Sequence, residues 1–411
     1  MKNPLYINDF TYALPPDRIA TTPLAERDAS KLLVYKNGEL KDDTFYHLPQ
    51  FLPSHSLLVL NNTRVIEARL HFEKPTGGII EIFCLEPYAP NVMESAMQQK
   101  VVVQWRCLIG GASKWGHGQV LQKELHIENE SLCLEAHYMG KEADAFIIEF
   151  RWPSNRAFAD VLHVAGAIPL PPYMKRKAVA ADAERYQTVF AHERGSVAAP
   201  TAALHFTHGV LKKLEKQEVQ TAYLTLHVGA GTFMPVKTET IDAHQMHAEY
   251  FSVTLPFLKQ LLQANTIIAV GTTSLRTLES LHWLGVKLLH DGYLKNFELG
   301  QWEAYDLAAF KYSYTESLEA LVQYIEKARL HQLDCRTSLL IRPGYPFQSA
   351  HAIVTNFHQP RSTLLLLIAA FIGNDWKKVY AHALEKDYRF LSYGDSSLLW
   401  RPTSDTAASR L

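Results

Sequence analysis

Cysteine is scarce and scattered. The four cysteines, Cys84, Cys107, Cys133 and Cys335, lie far apart and form no CxxC pair. That argues against a disulfide framework and a structural zinc site, and for a reducing compartment. Long apolar runs are also missing: the longest, Leu364 to Ile372, has nine residues, too few to cross a bilayer. Residues 1–10 alternate polar and apolar and hold no apolar run of the kind a signal peptide requires. A soluble cytoplasmic protein is expected. Neither sign of charge dominates, because 41 Lys and Arg face 42 Asp and Glu for a net charge of -1. Any polyanion site must therefore be a local patch. What the chain does have is 47% hydrophobic content over 411 residues, enough for a real core and roughly two to three domains.

The segments Lys31 to Tyr35 and Ser56 to Leu60 are aliphatic and bounded by Gly, Pro and Asn turn signals, so both are expected as strands. From about Leu70 to Phe150 nearly everything reads as strand: GIIEIFCL, VVVQWRCLIGG, LCLEAHYM and AFIIEF follow one another, which suggests a compact β-barrel or sandwich. After Trp152-Pro153 the period changes. Asn155 can cap a helix running to Val164, and the Pro-rich connector IPLPPYM follows. Beyond it, TAYLTLH (221–227), TIIAV (266–270), SLLIR (338–342) and HAIVT (351–355) alternate with helices from Ser274, Ser362 and Asp375. One amphipathic helix, Ser317 to Leu330, stands in the otherwise uninformative stretch 282–336. Such alternation indicates an α/β domain with an at least partly parallel sheet.

Five clusters carry the chemistry. In YLTLHVGAGTFMPV (223–236) a strand runs into Gly229-Ala230-Gly231-Thr232; such glycines either make a plain tight turn or let backbone N–H groups approach a ligand. In AVGTTSLRTLESL (269–281) the turn Gly271, Thr272, Thr273, Ser274 feeds a helix start, suited to a carboxylate or phosphate. Arg276 and Glu279 fall three residues apart on that helix, and the plainer reading is an N-cap with a surface ion pair. His205, His227, His244, His247 and His358 lie near Gly, Asn or Thr-rich segments. His244 and His247 with Glu249 resemble ligand spacing, yet HEXXH is absent, so polar or acid-base roles are expected and no metal. In TNFHQPRST (355–363) Asn356, Phe357, His358 and Arg361 precede a helix that Ser362 or Thr363 can cap and Gly373 can end. Finally PPYMKRKA (171–178) and ERYQTVFA (184–191) gather Lys175, Arg176, Lys177 and Arg185 with Tyr173 and Tyr186: either a solvated charged loop or phosphate contacts plus base stacking on RNA.

In this order the motifs resemble one family, the S-adenosylmethionine:tRNA ribosyltransferase-isomerases of queuosine biosynthesis. The similarity runs through FTYALPPDRIATTPLAERDASKLLV, LVLNNTRVIEARL, IPLPPYMKR, RYQTVFA, GSVAAPTAALHFT, LTLHVGAGTFMPV, HQMHAEYF, AVGTTSLRTLES, IRPGYPF, VTNFHQPRSTLLLL and YRFLSYGDSSLL. It implies an α/β main domain, 1–69 plus 151–411, with an inserted all-β, barrel-like domain at 70–150. It also implies transfer of the ribosyl part of S-adenosylmethionine to 7-aminomethyl-7-deazaguanine (preQ1) in a tRNA anticodon loop, giving epoxyqueuosine and releasing adenine and methionine. S-adenosylmethionine is then a substrate, no prosthetic group is expected, and the partner is tRNA; a monomer is expected, although the sequence does not give the oligomeric state. Within the matched motifs His227, Glu249, His205, His358 and Asp395 are the available acid-base groups. Gly229, Gly231, Thr232 and the turn Gly271, Thr272, Thr273, Ser274 are candidates to hold the methionine carboxylate or ribose hydroxyls, with Thr201, Arg276 and Asn356 as further substrate contacts. Arg64, Lys175, Arg176 and Arg185 are candidates for tRNA phosphates, and Tyr173, Tyr186 or Phe357 for stacking on the modified base. Asn62 and Ala203 stand where the family commonly has Asp and Gly. Two other classes stay open: a metal-dependent hydrolase on His244, His247 and Glu249, and an inactive tRNA-binding relative.

Overall fold

Near-continuous apolar segments become buried strands of one large sheet. The computed structural model describes residues 5–116, 118–142, 145–229, 236 and 238–402. The strands of this sheet are Lys31–Lys36 (β1), Glu39–Thr44 (β2), Leu57–Asn61 (β3), Gln220–Leu226 (β4), Glu249–Thr254 (β5), Ile267–Val270 (β6), Glu298–Leu299 (β7), Gln332–Thr337 (β8), Ala352–Asn356 (β9) and Ser396–Trp400 (β10). They lie in the order β7-β8-β5-β4-β3-β6-β9-β10-β1-β2. The neighbours β4, β3, β6 and β9 are mutually parallel, and β3, β6 and β9 are buried at every residue, as a parallel sheet covered on both faces requires. Leu58, Leu60, Ile268, Val270 and Val354 pack there with Phe45, Phe206, Val210 and Leu214, each worth roughly 1.5–3 kcal/mol on burial.

The helices that cover the sheet begin and end on local chemistry. His208–Lys216 (α1) is capped by Thr207, whose hydroxyl accepts the Val210 N–H, and Leu255–Gln263 (α2) by Thr254. The helix Thr272–Asp291 (α3) starts at Gly271, φ 90°, and ends at Gly292 in the left-handed conformation. Tyr314–Ala328 (α4) opens with a capping box between Ser313 and Glu316, three residues before the expected start. Ser362 caps Thr363–Ile372 (α5) and Gly373 ends it, as expected; Trp376–Glu385 (α6) follows.

One expected strand is displaced. SLLIR (338–342) forms no strand; the sheet is extended instead by β8, QLDCRT, whose Leu333, Cys335 and Thr337 point inward while Gln332 and Asp334 stay exposed. The polar outer face hides the strand, and SLLI is apolar because it is buried as an irregular wall.

The contacts divide the chain into two units, the first comprising residues up to Asn62, Thr188–Ala191 and Pro200 onward, the second Thr63–Gln187 and His192–Ala199. The second unit holds a curled antiparallel sheet of seven strands in the order 166–167, 69–73, 79–89, 102–110, 145–151, 130–142, 121–127. Strands 69–73 and 121–127 approach each other across it. The helix Phe158–Ala165 and the basic segment up to Gln187 belong to this unit, as does His192–Ala199.

Candidate functional site

Because β4, β3, β6 and β9 are parallel, their carboxyl ends meet at one edge of the sheet. His227 to Gly229 follow β4, Asn61 and Asn62 close β3, Gly271 to Ser274 follow β6, and Asn356 to His358 follow β9. Open α/β sheets bind ligands at such an edge. The chain folds back from β4 into antiparallel β5, with the His227 N–H donating to the Tyr250 carbonyl at 3.0 Å. That brings Glu249, the first residue of β5, against Gly229, whose N–H its Oε1 accepts at 3.2 Å. The other carboxylate oxygen is in ion-pair contact with Arg276 on the first turn of α3, and both side chains are buried. Burial lowers the Arg276 pKa to about 10, leaving it a cation at neutral pH. The expected surface pair between Arg276 and Glu279 is therefore corrected. Glu279 is fully buried and accepts from Tyr345 Oη (3.0 Å), the Gln348 N–H (3.1 Å), the Ser349 N–H (2.9 Å) and Ser349 Oγ. Burial pushes its pKa up while these donors hold it down.

A crevice opens beside the first turn of α3. It is lined by Thr272, Thr273, Arg276 and Thr363 together with Met246, Leu339 to Ile341, Leu364 and Leu367, and its volume of about 10 Å³ is that of a single water site. Gly271 at the N-cap supplies no side-chain oxygen, and buried Ser274 Oγ has no hydrogen-bond partner among the described residues. This helix start suits an anionic group.

A second cluster lies at the end of β9. Asn356 accepts from Thr201 Oγ1 at 2.9 Å and its amide meets His205 Nε2 at 3.3 Å. Burial lowers His205 to a pKa of about 4 and His358 to about 3, so both are neutral at pH 7. His358 Nε2 lies 2.9 Å from Thr355 Oγ1, and its backbone is held by Tyr380 and Tyr12. Asp395 accepts the Lys31 N–H at 3.0 Å and the Arg389 N–H at 2.7 Å, which ties the start of β1 to the turn 389–395. Phe357 is buried among Tyr380, Tyr388 and Phe390 and offers no open face to a base.

The other RNA-contact candidates all lie in the second unit. Arg64 and Lys175 are exposed, Lys175 in a left-handed conformation, and Tyr173 is half-buried. Arg176 forms a two-pronged pair with buried Asp182 at 2.7 and 2.8 Å. Arg185 is half-buried, and Tyr186 is fully buried, which closes it to stacking. Gly231 and Thr232 lie outside the described residues. Among the described residues no three His, Cys, Asp or Glu side chains gather in a metal-binding group, so His244, His247 and Glu249 do not converge, Glu249 being committed to Arg276. No described helix is long and apolar enough to cross a membrane.

Of the two substitutions noted in the motifs, Asn62 accepts from Thr225 Oγ1 at 2.8 Å, a bond that a carboxylate would also accept. Ala203 is packed in the main core. Sequence reasoning named Glu279 only as a surface partner of Arg276 and gave Met246 and Leu339 to Ile341 no place in the site, because hydrophobic positions carry no chemical signal.

Comparison with known proteins agrees with this arrangement of motifs. The family model described as "Queuosine biosynthesis protein" matches residues 7–399. An S-adenosylmethionine:tRNA ribosyltransferase-isomerase of Azoarcus sp. (strain BH72) is 37% identical over 97% of this chain and 98% of its own length. One of Aromatoleum aromaticum is 38% identical over 96% of this chain and 97% of its own. A solved structure of S-adenosylmethionine tRNA ribosyltransferase from Thermotoga maritima is similar at a TM-score of 0.44 and 28% identity, covering 95% of this chain and 99% of that one. Matched over nearly its whole length, the chain belongs to the queuosine biosynthesis protein family.

Proposed function

We propose that this chain is an S-adenosylmethionine:tRNA ribosyltransferase-isomerase. It moves and isomerises the ribosyl group of S-adenosylmethionine onto the aminomethyl group of 7-aminomethyl-7-deazaguanine in tRNA, forming epoxyqueuosine and releasing adenine and methionine. The observation that carries this reading is full-length identity of 37–38% to relatives bearing that name. We read the seven-stranded sheet as a barrel domain inserted in the α/β chain, and the protein as a cytoplasmic monomer.

The chemistry asks for a base, because the sulfonium acidifies the neighbouring 5′ carbon, and for a proton on adenine as it leaves. Glu249 and His227, beside Gly229, are the candidate acid-base groups, with Arg276 supplying the counter-charge to Glu249. His205 and His358, neutral at pH 7, suit hydrogen-bonding contacts to substrate through Asn356 and Thr355. The start of α3 is a candidate for the methionine carboxylate, while Arg64, Lys175, Arg185 and Tyr173 are candidates for tRNA contacts. The test is to mix the protein with S-adenosylmethionine and tRNA carrying the precursor base. Adenine and methionine should appear in equal amounts, only with that tRNA, and unchanged by a chelator. No release, or release with tRNA lacking the precursor, overturns the reading.

A further inference from the structure

We propose that Arg64 and Arg194 together grip one backbone phosphate of the tRNA. This rests on the tRNA partner proposed above, and it adds Arg194, which lies between the motifs RYQTVFA and GSVAAPTAALHFT. In the second unit the short strands Thr63–Val65 and Glu193–Ser196 pair in parallel, with Arg194 directly beside Arg64. Partners in one register row share a face and stand about 4.8 Å apart. Thr63 and Val65 are buried while Arg64 between them is exposed, and Arg194 is exposed as well. Two like charges side by side weaken a ladder. Among the described residues neither arginine has an acidic partner to relieve this, and Glu193, the acid next in sequence, is paired with His192 at 2.9 Å.

The backbone holds the two arginines together in spite of that repulsion. Thr63 Oγ1 donates to the Glu193 carbonyl at 3.3 Å, and the Ile66 N–H donates to the Ser196 carbonyl at 2.9 Å. On the other side of Val65, the Gln187 carboxamide accepts its N–H at 2.9 Å and donates to its carbonyl at 2.8 Å, as a third strand would. That bond also fastens the end of the basic segment bearing Lys175 and Arg185 to the strand of Arg64. Directly after Arg194 the register slips at Gly195, φ 147°, a bulge of the kind that re-aims a neighbouring side chain. A pair that repels when empty is relieved by an anion between the two guanidinium forks, and a phosphodiester offers one non-bridging oxygen to each. RNA supplies such groups at a concentration that a single surface carboxylate does not match, and their contact releases counterions.

The experiment measures binding of tRNA with and without the precursor base, from 50 to 200 mM salt and without S-adenosylmethionine, to Arg64→Ala, Arg194→Ala and the double variant. Each single variant should bind both tRNAs about fivefold more weakly, and the double variant about tenfold. If one phosphate is shared, the double variant loses about one unit of salt slope, whereas two separate contacts would lose about two. Arg194→Lys keeps the charge without the fork, and should keep the slope while weakening binding about twofold. At 50 mM salt the melting temperature of each single variant should equal or exceed that of the unaltered protein, because a repulsion has been removed. A slope loss near zero or near two in the double variant, unchanged affinity in either single variant, or weakening that tracks a lowered melting temperature overturns the inference. These readouts need no catalysis: tRNA binding as expected without adenine release by the unaltered protein is a failure of the proposed reaction alone. No tRNA binding by the unaltered protein overturns both.

Discussion

Arg276 and Glu249 form a buried ion pair that joins the start of α3 to the first residue of β5, directly beside Gly229. A buried pair that loses one partner leaves a desolvated charge, at about 3–5 kcal/mol, whereas replacing both by apolar groups is close to neutral. Glu249→Gln should therefore lower both stability and turnover, the latter by roughly a hundredfold or more. Adding Arg276→Met should restore most of the stability, read by chemical denaturation, and none of the turnover. Recovered turnover in the double variant would show that the pair serves the fold alone. His227→Ala should also lower turnover roughly a hundredfold while S-adenosylmethionine binding survives.

Acid stability follows from the two neutral histidines. The folded-state pKa is lowered to about 4 for His205 and about 3 for His358, by burial in both cases, against an unfolded value near 6.5. Below pH 6.5 the unfolded chain binds these protons first, so the contribution is complete above about pH 6.5 and is lost as pH falls toward 4 and 3. It amounts to roughly 3 kcal/mol for His205 and roughly 5 kcal/mol for His358 at most. Denaturation at pH 7, 5.5 and 4.5 should show a steep fall that is shallower by up to one proton in His358→Gln. Equal slopes would contradict this assignment.

Much of the fold was legible and the pairing within the site was not. β1, β3, β6 and β9 announced themselves because strands buried on both faces need uninterrupted aliphatic sequence, β4 showed as the alternation of buried Ala222, Leu224 and Leu226 with more exposed neighbours, and the caps of α5 stood in plain view as Ser362 and Gly373. α3 misled because Arg276 and Glu279 read as a surface ion pair, yet nearly all of the helix is buried, from Thr272 to Val286. Spacing along that helix suggested Arg276 with Glu279. The observed partner of Arg276 comes from a hairpin return after β4, a tertiary event that periodicity does not encode. Tyr186 and Phe357 looked like stacking residues for the same reason: aromatic type shows in sequence, and burial does not.

Helix packing offers a stability test away from the chemistry. A Cβ placed on Gly285 of α3 would lie 2.2 Å from the Ser317 carbonyl oxygen of α4, so Gly285→Ala must part the two helices. A loss of about 2 kcal/mol or more is expected, set against a change within about 0.5 kcal/mol for Gly140→Ala, where nothing lies within 4 Å. Equal melting temperatures for the two variants would mean that α3 and α4 are not in close contact in solution.

The basic segment of the second unit separates RNA contact from internal pairing. With a net charge of -1 the chain can hold tRNA only through a concentrated patch, and each phosphate that the protein no longer neutralises lowers the salt slope of binding by about one. Lys175 is exposed, so Lys175→Ala should flatten that slope by about one while leaving melting temperature and S-adenosylmethionine affinity unchanged. Arg176 differs, because its guanidinium is bonded twice to buried Asp182. Removing it takes the counter-charge from a buried carboxylate that also accepts the Val179 N–H at 2.9 Å. Arg176→Ala should therefore lose roughly 2 kcal/mol of stability, discounted for the partly exposed guanidinium, and any fall in tRNA affinity should accompany that loss. Measured from 50 to 200 mM salt, an unchanged slope in Lys175→Ala would move the RNA track to Arg64 and Arg185.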